Sequence, residues 1–269
     1  MPYNWINPLD YTMDTLLYFD RWVLRYLFSD QSADQNPDAY QLLAGSALSR
    51  FPHVADFCRH KAPESAAYMD AALALVPPGL DDQAARQAEA DFLQHHETFV
   101  VYAWPEVMER VNYIADWDRK WLDELIDLTG MVVLDVGAGT GRLAFAAARD
   151  ALRVYASEPC DRLREYMRDQ IAARGIQNMK VLDGMADCLP YEKATFDAVL
   201  SGHVVGDDYE GELAEMRRVL KPGGWLIICN GDDEFMRKGP DPELTNRGFE
   251  AFRHESPSGG IIYNYRLRV

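Results

Sequence analysis

One turn and one acid downstream of it carry the first chemical signal in this chain. The turn reads Asp135-Val136-Gly137-Ala138-Gly139-Thr140-Gly141, and Glu158 follows 17 residues after the last glycine in Ala-Ser-Glu-Pro. Glycine at every second position lets a backbone bend sharply and leaves no Cβ between it and a ligand. A helix opening straight after such a turn offers positive potential and free N–H donors. A carboxylate at the end of the next strand accepts both hydroxyl hydrogens of a ribose. The pair therefore predicts a nucleoside site. The spacing is GxGxG, not GxGxxG, which leaves less of the phosphate cradle that a dinucleotide needs. A second signal is His203, in Ser-Gly-His-Val-Val-Gly-Asp-Asp. An imidazole titrating near neutrality suits proton removal, although a histidine at a strand end also serves as a neutral hydrogen-bonding group. Asp207 and Asp208 read as N-caps for the helix that follows.

These residues need elements to hold them. From Gly130 onward strands alternate with helices: MVVLDV, then RLAFAAARD; LRVYAS, then DRLREYMRDQIAARG ending at Gly175. MKVLDG and FDAVLSG are further strands. EGELAEMRRVL is a helix closed by Lys221-Pro222-Gly223-Gly224, and WLIICNG is the next strand. The tail GFEAFRHESPSGGIIYNYRLRV predicts an antiparallel hairpin about Pro-Ser-Gly-Gly. Such alternation implies an α/β fold with a parallel sheet between helical layers, its ligand at the carboxyl ends of the strands. Residues 1–104 instead show apolar positions at three- and four-residue intervals, broken at Pro37, Pro52, Pro63 and Pro77-Pro78-Gly79. They predict four or five helices and then DDQAARQAEADFLQHHETFVVYAW, capped by Asp81 or Asp82. Residues 105–269 open with one long helix from Pro105 that Gly130 stops.

VLDVGAGTGRL, ASEP, DGMADCLPYEKATFDAVLSGHVV and ELAEMRRVLKPGGWLII, in this order and spacing, resemble the class I S-adenosylmethionine-dependent methyltransferases, closest to their type 11 small-molecule branch. The resemblance covers roughly residues 105–269. It implies a Rossmann-like seven-stranded sheet whose last strand is antiparallel, and S-adenosyl-L-methionine as cofactor. It implies that Gly137, Ala138, Gly139 and Gly141 lie under the methionine part, braced by Asp135. Glu158, with Pro159 beside it, would hold the ribose. Ser201 and Gly202 would line the sulfonium end, and Tyr113, in the preceding helix, would close over the cofactor. At the adenine, relatives carry an acid where this chain has Met185. Ala186 would reach the ring through its N–H, and Asp187 is the nearest substitute carboxylate. The implied activity is methyl transfer to an N, O or S atom of a small molecule, with His203 as the candidate base. The alternative is a catalytically degenerate cofactor-binding partner or regulatory protein, which Met185 favours and Glu158 opposes.

Charge narrows the partners. The net charge is −16, and residues 1–128 hold 21 acidic against 9 basic side chains. Phosphate contacts need clustered Lys and Arg, so nucleic acid is not an expected partner. No Asn-Pro-Pro-Tyr follows the fourth strand, which also argues against methylation of DNA bases. Fewer than about 20 residues separate the fifth strand from GFEAF, which leaves little room for a cover there and makes the helical half the expected lid and substrate selector; its acidity favours a neutral or cationic acceptor, and a homodimer in which it covers the neighbour's site is the alternative arrangement. No apolar run is long enough to span a bilayer and the first residues lack a basic leader, so a cytoplasmic protein without a membrane partner is expected. Cys58, Cys160, Cys188 and Cys229 show no metal or redox spacing, and no metal is expected. His95-His96-Glu97 are adjacent on a helix, lack the i, i+4 relation of metal ligands, and read as a solvated or boundary face.

Overall fold

The computed structural model describes residues 5–33, 36–206, 208–230, 239–257 and 259–269. Two compact units meet in the chain at Val107 and Met108, a few residues beyond the expected boundary at 104.

The first unit is helical: α1 (Arg21–Leu27), α2 (Pro37–Leu48), α3 (Pro52–Lys61), α4 (Ala66–Ala74), α5 (Asp82–His95) and α6 (Glu97–Ala103), with short 3-10 turns between some of them. Asp81 caps α5 by accepting from the Ala84 N–H. Residues 9–28 have apolar positions mostly at three- and four-residue intervals, yet they do not form one helix. Asn7 and Thr12 accept from the N–H groups two residues on and start separate 3-10 turns, and Phe19 is extended. Such local side-chain bonds compete with the helical ladder. The helix expected through residue 104 breaks at His96. That ring is buried and hydrogen-bonds the Tyr40 hydroxyl at 2.8 Å. Glu97 is buried too and His95 is exposed, so the triplet lies at a boundary, with His95 alone on the solvated side. Burial lowers the His96 pKa to about 3, which keeps the ring neutral.

In place of one long helix come α7 (Pro105–Met108), which runs across the boundary between the units, and then α8 (Asn112–Ala115) and α9 (Lys120–Leu125) of the second unit. Asp118 accepts from the Lys120 N–H and Asp127 from the Thr129 N–H, so each aspartate turns the chain where a helix would continue. The sheet follows: β1 (Val132–Val136), α10 (Arg142–Ala147), β2 (Arg153–Ser157), α11 (Asp161–Arg174), β3 (Met179–Leu182), β4 (Phe196–Ser201), α12 (Tyr209–Val219), β5 (Leu220–Cys229), α13 (Pro242–Thr245), β6 (Glu250–Glu255) and β7 (Ile261–Arg268). The seven strands lie in the order β3-β2-β1-β4-β5-β7-β6. Parallel pairing joins β3, β2, β1, β4 and β5, and β7 runs antiparallel between β5 and β6. The Rossmann-like sheet with an antiparallel C-terminal hairpin is thus present as expected.

One detail differs. Lys221-Pro222-Gly223-Gly224 does not lie beyond the helix as a separate stop. It belongs to β5 as a bulge, where the register against β4 jumps from Phe196↔Leu220 to Ala198↔Trp225. The extra residues are accommodated because only one strand lengthens.

A core fills each face of the sheet. Leu122, Leu143, Ala144, Met167, Val133, Ala156 and Ile227 pack on one side; Leu134, Val136, Val199, Leu213, Met216, Ile228 and Tyr265 pack on the other. Strand alternation produces this division, since β1 sends Val133 to one layer and Leu134 to the other. The order reverses between β1 and β4, so the crevice at their carboxyl ends is where a ligand belongs. No described helix is long and apolar enough to cross a membrane.

Candidate functional site

The glycine loop leaves β1 with Gly137, Gly139 and Gly141 all left-handed, at φ of 64°, 59° and 97°. Gly137 is constrained twice, because a Cβ there would also overlap the side chain of Val204. The loop's donors differ from expectation. Gly137 and Ala138 give their N–H groups to the Ser157 carbonyl at 2.8 and 3.0 Å, and Gly141 gives its own to Ala138 at 2.8 Å. Gly139 donates to Glu158 Oε2 at 2.8 Å. These four amides stabilise the turn itself. What the loop presents to a ligand is bare main chain and carbonyl oxygen, which suits a group that donates hydrogen bonds.

Glu158 sits at the carboxyl end of β2, only 4% exposed. Its other oxygen accepts from the Cys160 N–H at 2.9 Å. Burial pushes its pKa up, and the two backbone donors pull the other way. A carboxylate has about four acceptor positions, so about two remain for a vicinal diol. Pro159 is half-buried beside it, and its carbonyl accepts from Arg164 at 2.7 Å.

Asp135 is buried on β1. Its Oδ2 has no hydrogen-bond partner. Gly141 precedes α10 without a side-chain cap. Burial raises the Asp135 pKa to about 7, against the lowering effect of the Arg142 charge. Ser201 is fully buried at the end of β4, and its Oγ has no partner; nor has Thr140 Oγ1. Gly202 follows in close contact: a Cβ there would overlap Arg142 Nη2 and lie 2.9 Å from the Cys229 carbonyl.

His203 lies in the left-handed region, with φ 59°, a conformation that histidine tolerates better than most residues. Its N–H donates to Asn230 Oδ1 at 3.1 Å, and its ring lies 4.5 Å from the Tyr113 ring, tilted by 53°. The turn is pinned again at Gly206, whose N–H donates to Glu212 Oε2. Asp208 caps α12 by accepting from the Gly211 N–H, as expected. Asp207 lies outside the described residues.

The segment after β3 runs beside β2, since Ser157 pairs with Leu182 and Glu158 N donates to the Leu182 carbonyl. It carries Met185, 42% exposed, which bridges to Cys188. Ala186 packs against the apolar layer that contains Leu189, and Asp187 is exposed. Met185 thus offers apolar surface at the place where relatives have an acid.

These positions fall along one edge, across the ends of β3, β2, β1, β4 and β5. Arg142, Asn230 and Val204 were not foreseen. Only Arg142 left a sequence signal: a cation on the first residue of a helix opposes the helix dipole. Among the described residues, no three His, Cys, Asp or Glu side chains are grouped to hold a metal.

A sheet of this order, with a glycine turn after β1 and a buried acid after β2, is the Rossmann-like arrangement that the resemblance to class I S-adenosylmethionine-dependent methyltransferases implies. Residues 133–224 match the family model described as a methyltransferase domain. A demethylmenaquinone methyltransferase of Lactococcus lactis subsp. lactis (strain IL1403) is 32% identical over 158 residues, covering 56% of this chain and 60% of that protein. The ubiquinone/menaquinone biosynthesis C-methyltransferase UbiE of Marinomonas sp. (strain MWYL1) is 31% identical over 156 residues, covering 55% and 60%. A solved S-adenosylmethionine-dependent methyltransferase from Aquifex aeolicus aligns with a TM-score of 0.49 at 20% identity, over 62% of this chain and 96% of that one. The chain spans about 60% of the length of the curated relatives it matches. Over residues 133–224 the chain is therefore similar to a methyltransferase domain, and the relatives it matches are named as methyltransferases.

Proposed function

We propose that this protein transfers a methyl group from S-adenosylmethionine to a small-molecule acceptor. The observation that carries the reading is Glu158, a buried carboxylate anchored by the Gly139 and Cys160 amides beside a left-handed glycine turn. The residues fit the cofactor: Glu158 has acceptor capacity left for a ribose, and the turn at Gly137 has no room for a Cβ of its own. Asp135 and the loop carbonyls suit an ammonium group, and Met185 with Ala186 suits the face of an adenine ring.

When bound, S-adenosylmethionine supplies a methyl group already activated on a sulfonium. The chain's task is then alignment and exclusion of water. Ser201, Gly202 and the Tyr113–His203 ring pair border the end of the crevice assigned to the sulfonium. His203 takes a proton from the acceptor where the acceptor must lose one. The helical unit selects the acceptor. Two relatives are named for demethylmenaquinone and for C-methylation, so a carbon acceptor joins N, O and S, and a demethylated quinol is the first acceptor to try. Met185 favours a second reading, a cofactor-binding protein that transfers nothing. Transfer of labelled methyl to a panel of quinols and amines separates the two; binding of S-adenosylhomocysteine without transfer to any acceptor would favour the second.

His203→Asn keeps a residue that tolerates the left-handed backbone while removing the imidazole. Turnover is expected to fall about 100-fold, the low end of what a positioned base contributes, with cofactor affinity within about threefold. Unchanged turnover would make His203 structural.

A further inference from the structure

We propose that Arg142 is a positioning residue, whose guanidinium holds the tyrosine-bearing segment 112–117 and the Gly202–His203 turn against the end of β5 and so sets the Tyr113–His203 ring pair. The role assigned to that ring pair rests on the methyltransferase reading; the geometry of the clamp does not.

Arg142 opens a helix of six residues, where a positive charge is disfavoured. Its side chain is engaged elsewhere. Nη1 donates to the Tyr113 carbonyl at 2.6 Å and Nη2 to the Cys229 carbonyl at 2.9 Å. The guanidinium lies 5.3 Å from the centre of the Trp117 ring. Gly202 completes the arrangement, since its backbone approaches Nη2 so closely that a Cβ would overlap it. Three segments far apart in sequence therefore meet on one planar group.

Within the segment 112–117 the Ile114, Ala115, Asp116 and Trp117 amides bond only to carbonyls of Val111, Asn112 and Ile114, a single local turn. It contains only the four residues of α8, and Val111 before it gives no side-chain cap. A guanidinium supplies two directed bonds and a face for the indole at once. Lysine can keep the charge and one bond, but not the fork.

The same charge acts on Asp135. The groups facing that carboxyl are Arg142 from α10, Glu158 from the end of β2 and Cys229 from β5. Arg142 is the cation among them, so its removal moves ionisation of Asp135 to higher pH.

Two measurements on the full chain test the clamp, with R142K and R142Q beside the wild type. In hydrogen exchange, the amides of Ala115, Asp116 and Trp117 should exchange at least about tenfold faster in R142Q and at an intermediate rate in R142K. Those of Val133 and Leu134 in β1 should be unaffected. Wild-type rates across 115–117 in R142Q would overturn the proposal, and so would acceleration spread equally over β1, which marks general loss of stability. In calorimetry with S-adenosylhomocysteine, the acid limb of the binding profile should move up in pH in R142Q and coincide with wild type in R142K. A limb unmoved in R142Q would remove the charge from the account. Failure of the wild type to bind S-adenosylhomocysteine would overturn the methyltransferase reading instead, and the exchange rates would still decide the clamp.

Discussion

Glu158→Gln is expected to weaken binding of S-adenosylhomocysteine about 100-fold while the fold persists. The wild-type carboxylate is nearly closed off from solvent, and each of its oxygens already accepts one backbone N–H, from Gly139 or Cys160. A glutamine has one acceptor oxygen. Its NH₂ must therefore point at one of those two amides, donor against donor, and the ribose loses an acceptor as well. Hydrogen bonds to charged groups contribute about 1.5–3 kcal/mol each, and a hundredfold loss corresponds to about 2.8 kcal/mol. A ligand lacking the ribose hydroxyls provides the control. It should bind wild type weakly and lose little more in the variant, the non-additivity expected of groups in contact. Affinity within threefold of wild type would place the sugar elsewhere and remove the central assignment of the site.

How far the sequence foretold this site depends on whether the signal was periodic or local. Strands such as Val132–Val136 are legible because burial on both faces demands an apolar run, and Gly175 is legible because a left-handed cap ends α11. Gly137 and Glu158 are legible because only certain residue types serve those positions. The misses come from bonds that apolar spacing does not report. Thr12, Asp118 and Asp127 each redirect a segment whose apolar spacing still reads as helix. His96 and Glu97 look polar and are buried, because Tyr40 and Gln94 lie next to them in space though not, for Tyr40, in sequence. The loop amides were expected to face a ligand; the Ser157 carbonyl, from the neighbouring strand, takes two of them. Long-range partners of this kind become visible only with the sheet assembled.

Asp135→Asn should stabilise the ligand-free protein at pH 8 and weaken its hold on the cofactor, opposite signs from a single atom change. Asp135 is buried, one of its oxygens has no partner, and its pKa is pushed up to about 7 from an ordinary 3.8. Between those values the native state binds more protons than the unfolded chain. Unfolding free energy therefore falls as pH rises from about 4 to about 7, and levels off above. At about 1.4 kcal/mol per unit, the ionised carboxylate costs the ligand-free fold at most about 4 kcal/mol at pH 8, and the neutral acid costs nothing of this kind at pH 5. Asparagine cannot ionise, so the variant's advantage should appear at pH 8 and vanish toward pH 5 in thermal unfolding. Parallel wild-type and variant curves across that range would show that burial does not hold this proton. A buried anion kept against stability makes sense where a cation arrives to meet it, as the ammonium and sulfonium of S-adenosylmethionine would. Binding at pH 8 should accordingly be weaker in Asp135→Asn, and equal binding would leave Asp135 with no part in holding the cofactor.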